Sequence, residues 1–134
     1  FRGGGSGATT GTITSTGDNA TQYNTSSDYR LKENVDYTWD ATTRLKQLKP
    51  VRFNWISDDT NTLEDGFLAH EVSSIVPNAV TGEKDAVYTE EEAAPEIHID
   101  AGDIKRQQLD HSKLVPLMVK TIQELEARIK VLEG

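Results

Sequence analysis

The sequence contains no cysteine, a single methionine and four prolines, and no apolar run approaches the length of a bilayer. Without cysteine there is no disulfide framework, no thiolate zinc site and no cysteine nucleophile. Without roughly 20 consecutive apolar residues there is no candidate membrane span. Positive charge is also scarce. The 14 Lys and Arg are outnumbered by 22 Asp and Glu, giving a net charge of −8. That balance argues against a nucleic-acid phosphate backbone as partner. With 134 residues, 35% of them hydrophobic, and a mean hydropathy of −0.58, the chain is expected to be soluble. It has room for one domain with an appendage and only a modest core. Phe1-Arg2-Gly3-Gly4-Gly5 lacks the apolar stretch of a signal peptide and reads as an internal cut from a longer protein.

What is present is unevenly distributed. Residues 1–26 are nearly all Gly, Ser, Thr, Ala, Asn and Asp, with one weak alternation at Thr12-Ile13-Thr14. Such a segment buries too little apolar surface to offset its own ordering entropy. It reads as a linker, or as the end of a β-rich stalk ordered by neighbouring chains. From Asp40, a candidate N-cap, a helix is expected to carry Leu45 and Leu48 on one face and to end at Pro50. Val51, Phe53 and Trp55 alternate with polar residues as a half-buried strand does. Asp58-Asp59-Thr60-Asn61 reads as a turn, Gly66-Phe67-Leu68-Ala69 as a second strand, and Glu71 to Val76 as a short helix stopped by Pro77. Residues 87–100 read as a loose hairpin around Glu90-Glu91-Glu92.

The C-terminal stretch has the clearest period. Val115, Met118, Ile122, Leu125, Ile129 and Leu132 recur at spacings of three and four, an a/d seam over about three heptads. Arg128 then falls at g and Glu133 at e. The seam reads as intermolecular pairing, and the alternative is an amphipathic helix packed on its own domain. Ile at a with Leu at d leans toward dimers in simple parallel coils, so a trimer would need the rest of the domain to impose it.

Ser27 and Lys32 are the candidate catalytic pair. A serine attacks a carbonyl only when a base takes its proton, and a lysine serves when its surroundings favour the neutral amine. The alternative is that Ser26 or Ser27 merely caps a short helix, with Lys32 solvated. On one α-helix, residues five apart lie about 140° apart around the axis. A working dyad therefore needs Ser27 outside the helix with Lys32 curling back, or a lysine from another chain. His70, His98 and His111 read as surface or core histidines. His98 and Asp100 share a strand face but lack a third ligand at a recognisable spacing, so no metal is expected. No phosphate-cradling Gly loop and no G-x-S-x-G elbow is present, and no cofactor is expected.

Three blocks resemble one family. They are Ser27-Asp28-Tyr29-Arg30-Leu31-Lys32-Glu33-Asn34-Val35, then Gly66-Phe67-Leu68-Ala69-His70-Glu71-Val72 with Pro77-Asn78-Ala79-Val80, then Leu109 through Leu125. Together they resemble the self-cleaving C-terminal intramolecular chaperone domain of phage tail spikes, tail fibres and neck appendages, the type found in endosialidase tailspikes. The resemblance implies a small α+β domain with short strands and helices, ending in a long coiled-coil helix and homotrimeric. Residues 1–26 would be the end of the upstream fibre, 27–111 the chaperone body and 112–134 the trimerisation helix.

By the same resemblance, the domain aligns three identical chains and then cuts the Ser26–Ser27 bond as a single-turnover serine autoprotease. Ser27 would be the nucleophile and Lys32 the base, with Arg30 and Glu71 as candidate supporting residues. The precursor would be a virion tail fibre or spike made in the host cytoplasm, with the chaperone fragment released after cleavage. Its partners would be its own copies and the upstream fibre, not nucleic acid or a membrane. The family usually has glutamine where this chain has His70, which separates His70 from any family role. The competing expectations are a structural trimerisation cap that stays attached and a receptor-binding fibre tip.

Overall fold

A computed structural model of the chain describes residues 11–15 and 20–134. The contacts divide it into two compact units, with the division between Thr38 and Trp39. Residues 1–10 and 16–19 of the expected linker or stalk end fall outside the described residues.

In the first unit, the weak alternation of the sequence is a strand. Strand β1 (Gly11–Ser15) pairs antiparallel with β2 (Thr21–Thr25), setting Ile13 opposite Tyr23. Both of these side chains are exposed. A two-stranded hairpin with no packed face is marginal on its own. The chain then runs through Ser26 and Ser27 into a single 3-10 turn at Tyr29–Leu31.

The second unit is small and mixed. Helix α1 (Thr42–Leu45) is much shorter than the expected run from Asp40 to Pro50. Lys49 precedes a proline, which disfavours helical backbone there, and Leu48 closes only a tight turn onto the Leu45 carbonyl. The start of α1 is doubly held. Asp40 Oδ1 accepts the Thr43 N–H at 3.1 Å, and the Glu124 carboxylate accepts the N–H groups of Ala41 and Thr42 at 3.0 and 2.8 Å.

Strand β3 (Val51–Phe53) pairs antiparallel with β4 (Glu64–Gly66), and Arg52 meets Asp65 across the pair at 2.7 Å. Trp55 lies beyond β3 and meets Phe53 edge-on, ring centres 5.1 Å apart. The second strand therefore ends where it was expected to begin. Glu64 and Asp65 look unlike strand residues, but the cross-strand arginine offsets Asp65. At Gly66 a Cβ would sit 3.1 Å from the Phe53 ring, which would have to shift by a few tenths of an ångström to admit it.

Helix α2 (Ala69–Ser73) starts and stops earlier than the expected Glu71–Val76. The Ser73 and Ser74 hydroxyls donate to the carbonyls of His70 and Glu71 and end it. A 3-10 turn from Pro77 leads into β5 (Val80–Thr81), which pairs antiparallel with β6 (Gln108–Leu109). The loop between them forms a wider hairpin than expected. Val87 bridges to Ile104, and the inner bridge joins Ala94 to Ile99. Glu92 is not simply solvated, since its carboxylate pairs with Lys105.

Helix α3 (Val115–Glu133) follows a 3-10 turn at His111–Leu114 that Asp110 caps through the Ser112 N–H. The core is Ala41, Val72, Val76, Ala79, Leu114 and Leu117, with Leu45, Leu48, Phe67 and Leu109 packed at its edge. Alanine and valine make up most of it, so it buries little area per residue. No helix among the described residues is long and apolar enough to cross a membrane.

Candidate functional site

The candidate site is built within a few residues of the first unit. After β2 the chain stays extended through Asp28 (φ −64°, ψ 129°), whose carboxylate caps the 3-10 turn by accepting the Arg30 N–H at 2.9 Å. Asp28, rather than either serine, is the cap, so the Ser27 hydroxyl is left for other use. The turn closes with the Lys32 N–H donating to the Tyr29 carbonyl at 3.1 Å. Lys32 itself returns to extended backbone (φ −123°, ψ 141°). Its side chain reaches back over the turn, and Nζ donates to Ser27 Oγ at 2.8 Å. Five residues on an α-helix would point apart; one 3-10 turn preceded by extended chain brings them together.

Both groups are exposed, and so are the large side chains near them in sequence: Tyr29 is 82% exposed, Leu31 78% and Tyr37 80%. In this arrangement Lys32 Nζ is the donor and the serine oxygen the acceptor. The same line can carry the hydroxyl proton the other way only after Lys32 has lost its own.

The remaining sequence candidates lie as follows. Ser26 is exposed and lies just before Ser27. Arg30 is not an uncompensated positive charge beside Lys32. Its guanidinium grips Asp28 through Nε at 3.0 and 3.2 Å and Nη2 at 2.6 Å. That grip holds the Asp28 carboxyl below the usual carboxylate range, with Lys32 adding a smaller pull. Glu71 belongs to the second unit, where it pairs with Lys49 at 3.3 Å. His70 lines a cleft with Phe53, Trp55 and Phe67. His111 tilts against the Phe67 ring, and His98 ends a 3-10 turn in the left-handed region at φ 59°. Among the described residues no three His, Asp or Glu side chains gather as metal ligands.

On α3 the seam residues Val115, Met118, Ile122, Leu125, Ile129 and Leu132 all remain exposed. A different stripe, Leu114, Leu117, Thr121 and Glu124, faces the chain's own core. Sequence reasoning missed this second stripe because a threonine and a glutamate interrupt it. It also gave Asp28 no role, although an aspartate just before a short helical turn is a capping signal.

Residues 27–81 match the Peptidase S74 family model, described as chaperone of endosialidase. The match opens on Ser27 and takes in the first two sequence blocks; the third lies beyond it. No curated protein matches the chain.

Proposed function

We propose that the chain, whose residues 27–81 match the chaperone-of-endosialidase model, directs assembly of a phage tail fibre or spike and then frees itself by cutting its own Ser26–Ser27 bond. The observation that carries this reading is the 2.8 Å approach of Lys32 Nζ to Ser27 Oγ, at the residue where the family match begins.

The chemistry follows from that placement. Neutral Lys32 takes the Ser27 hydroxyl proton as Oγ bonds to the Ser26 carbonyl carbon through a five-membered ring. The carbon–nitrogen bond then breaks, and the Ser27 nitrogen takes up a proton and leaves as an amine. The acyl group of Ser26 is now an ester on Ser27 Oγ. Water hydrolyses that ester, leaving a carboxylate on Ser26 and restoring the hydroxyl of Ser27. Both dyad groups are exposed in the single chain. Covering Tyr29, Leu31 and Tyr37 with neighbouring chains would supply the missing burial and tie cutting to assembly.

The exposed seam of α3 supports association of identical chains, as a homotrimer in this proposal. Alignment at the C-terminus raises the effective concentration of the upstream strands and fixes their register before they pair. Exposure of both dyad groups favours a second reading, a trimerisation cap that stays attached.

Intact mass and N-terminal sequencing of freshly made protein separate the two. The expected product begins Ser27-Asp28-Tyr29. Ser27→Ala is expected to leave uncut assembled chain, and Lys32→Ala to slow cutting by at least about a hundredfold. Native chain that persists uncut as a well-formed oligomer, or rapid processing of either variant, overturns the protease reading.

A further inference from the structure

We propose that the cleft bordered by Phe53, Trp55, Phe67 and Glu64 binds a neutral saccharide, one pyranose ring lying against the aromatic side chains. Neither Ser27 nor Lys32 takes part, so the inference stands apart from the cutting reaction.

The cleft has a volume of about 470 Å³ and lies among β3, β4, the start of α2 and the stretch that carries Gln107 and His111. Small-molecule sites usually hold about 300–1,000 Å³ and join apolar walls to a few placed polar groups. Side chains alternate along the β3–β4 pair. Phe53 and the opposite Glu64 therefore share a face, while Arg52 and Asp65 hold the alternate positions. Phe53 meets Trp55 edge-on with the ring planes at 88°, so the two rings form a corner. Packing within the chain leaves Trp55 56% exposed there.

The polar groups decide the ligand's chemistry. Asp65 is already matched, because Arg52 donates to its carboxylate through Nε at 2.7 Å and Nη2 at 3.2 Å. Gln107 Nε2 donates to the Gly82 carbonyl at 3.2 Å, which leaves its Oε1 as an acceptor. The side chains of Glu64, His70, His111 and Trp55 make no hydrogen bond among the described residues. A carboxylate only accepts, an indole N–H only donates, and an imidazole does either. A cation on the rings would satisfy Glu64 but bring donors alone, leaving the indole and imidazole N–H groups without acceptors. An anion would face Glu64. An apolar ligand would cover the same carboxylate without giving it a donor. Hydroxyls both donate and accept, so a sugar matches the whole set. Its face of C–H bonds packs on the rings.

The test uses the full chain with soluble neutral disaccharides as probes: maltose, cellobiose, lactose and N,N′-diacetylchitobiose. NMR follows the backbone amides of Gly66, Phe67 and His70 during each titration. At least one probe is expected to shift them saturably. Trp55→Ala is expected to weaken that binding by about tenfold, and Glu64→Gln by about fivefold. Ile56→Ala, exposed and outside the cleft, is expected to leave it unchanged. Far-UV circular dichroism checks the fold of each variant, and Glu64→Gln carries the test alone should Trp55→Ala unfold. Binding of none of the probes, binding that the cleft variants leave unaltered, or tighter binding of the diamine putrescine than of any sugar would overturn the proposal. The same titration in Ser27→Ala chains is expected to give the same result, so loss of cutting and loss of sugar binding are read separately.

Discussion

The side of α3 that meets its own chain and the side left in water differ in a direction opposite to simple expectation. The inner stripe, from Leu114 through Leu117 and Thr121 to Glu124, is half polar, yet it is the one packed on the core. The outer stripe is wholly apolar, yet Ile122 is 65% exposed and Leu132 86%. The stripes are offset by one residue, about 100° of helix rotation. They are therefore neighbouring faces, and one helix can serve both at once. Packing on its own domain and pairing with other chains looked like alternatives in the sequence; packing takes the inner face and leaves the outer one for the pairing proposed above. In the proposed assembly, this outer stripe is the face on which identical chains meet.

Breaking the outer stripe is expected to have the largest effect. Ile122→Asp should abolish self-association, measured by sedimentation, while leaving the far-UV circular dichroism of the single chain intact. Cutting should fall with it, and undiminished cutting by monomers would refute the coupling of cleavage to assembly. The inner stripe should behave in the opposite way. Leu117→Ala removes a buried side chain from a core of mostly small residues and is expected to cost about 2–5 kcal/mol of chain stability. Denaturant unfolding checks it. If the two variants gave the same loss of both folding and association, the two faces would not be separable.

The same contrast explains what the sequence disclosed. The Ser27–Lys32 contact was legible because its parts lie within six consecutive residues and one turn positions them. The condition that Ser27 stand outside the helix is met because Asp28 is the cap. The outer seam was legible because periodicity is local. The inner stripe was not, because Glu124 acquires its place only from Ala41 and Thr42, more than 80 positions away in sequence. Helix limits at α1 and α2 shifted for the same reason. Where an element is four or five residues long, tertiary bonds such as Arg44 Nε to the Ile75 carbonyl at 2.8 Å decide its ends more than propensity does. The strand before α2 moved because the partner of Asp65 across the pair, Arg52, lies in another element.

Glu124 makes the inner stripe sensitive to acid. The Thr42 hydroxyl first, then the Ala41 N–H, hold its carboxyl below the ordinary value of 4.5. The folded value is thus lower than the unfolded one. Its stabilisation is fully present above about pH 4.5 and is lost as pH falls through the folded value. Glu124→Gln keeps one acceptor oxygen but no charge. Its Tm is expected to lie several degrees below native at pH 7, with the gap closing as pH falls toward 3. Parallel Tm curves across that range would remove Glu124 from the acid response and leave it to other carboxylates depressed in the same direction, Asp40 and Asp110 among them.

The smallest expected effect has the opposite sign. Thr121 is only 4% exposed, and its Oγ1 has no hydrogen-bond partner among the described residues. An unsatisfied buried hydroxyl costs about 1–3 kcal/mol, less whatever the unfolded chain already forfeits. Thr121→Val keeps the branched shape and removes the hydroxyl, so it is expected to stabilise the chain by about 1 kcal/mol. Thr121→Ser keeps the hydroxyl and loses the methyl, so it should destabilise by a similar amount. Neither change touches the outer stripe, so association should stay at the native level in both. A Thr121→Val chain that is less stable only at concentrations where chains associate would mean that the hydroxyl finds its partner across the assembled interface. The inner and outer faces would then share a residue, and the division between them would lie one turn nearer the seam than the single chain indicates.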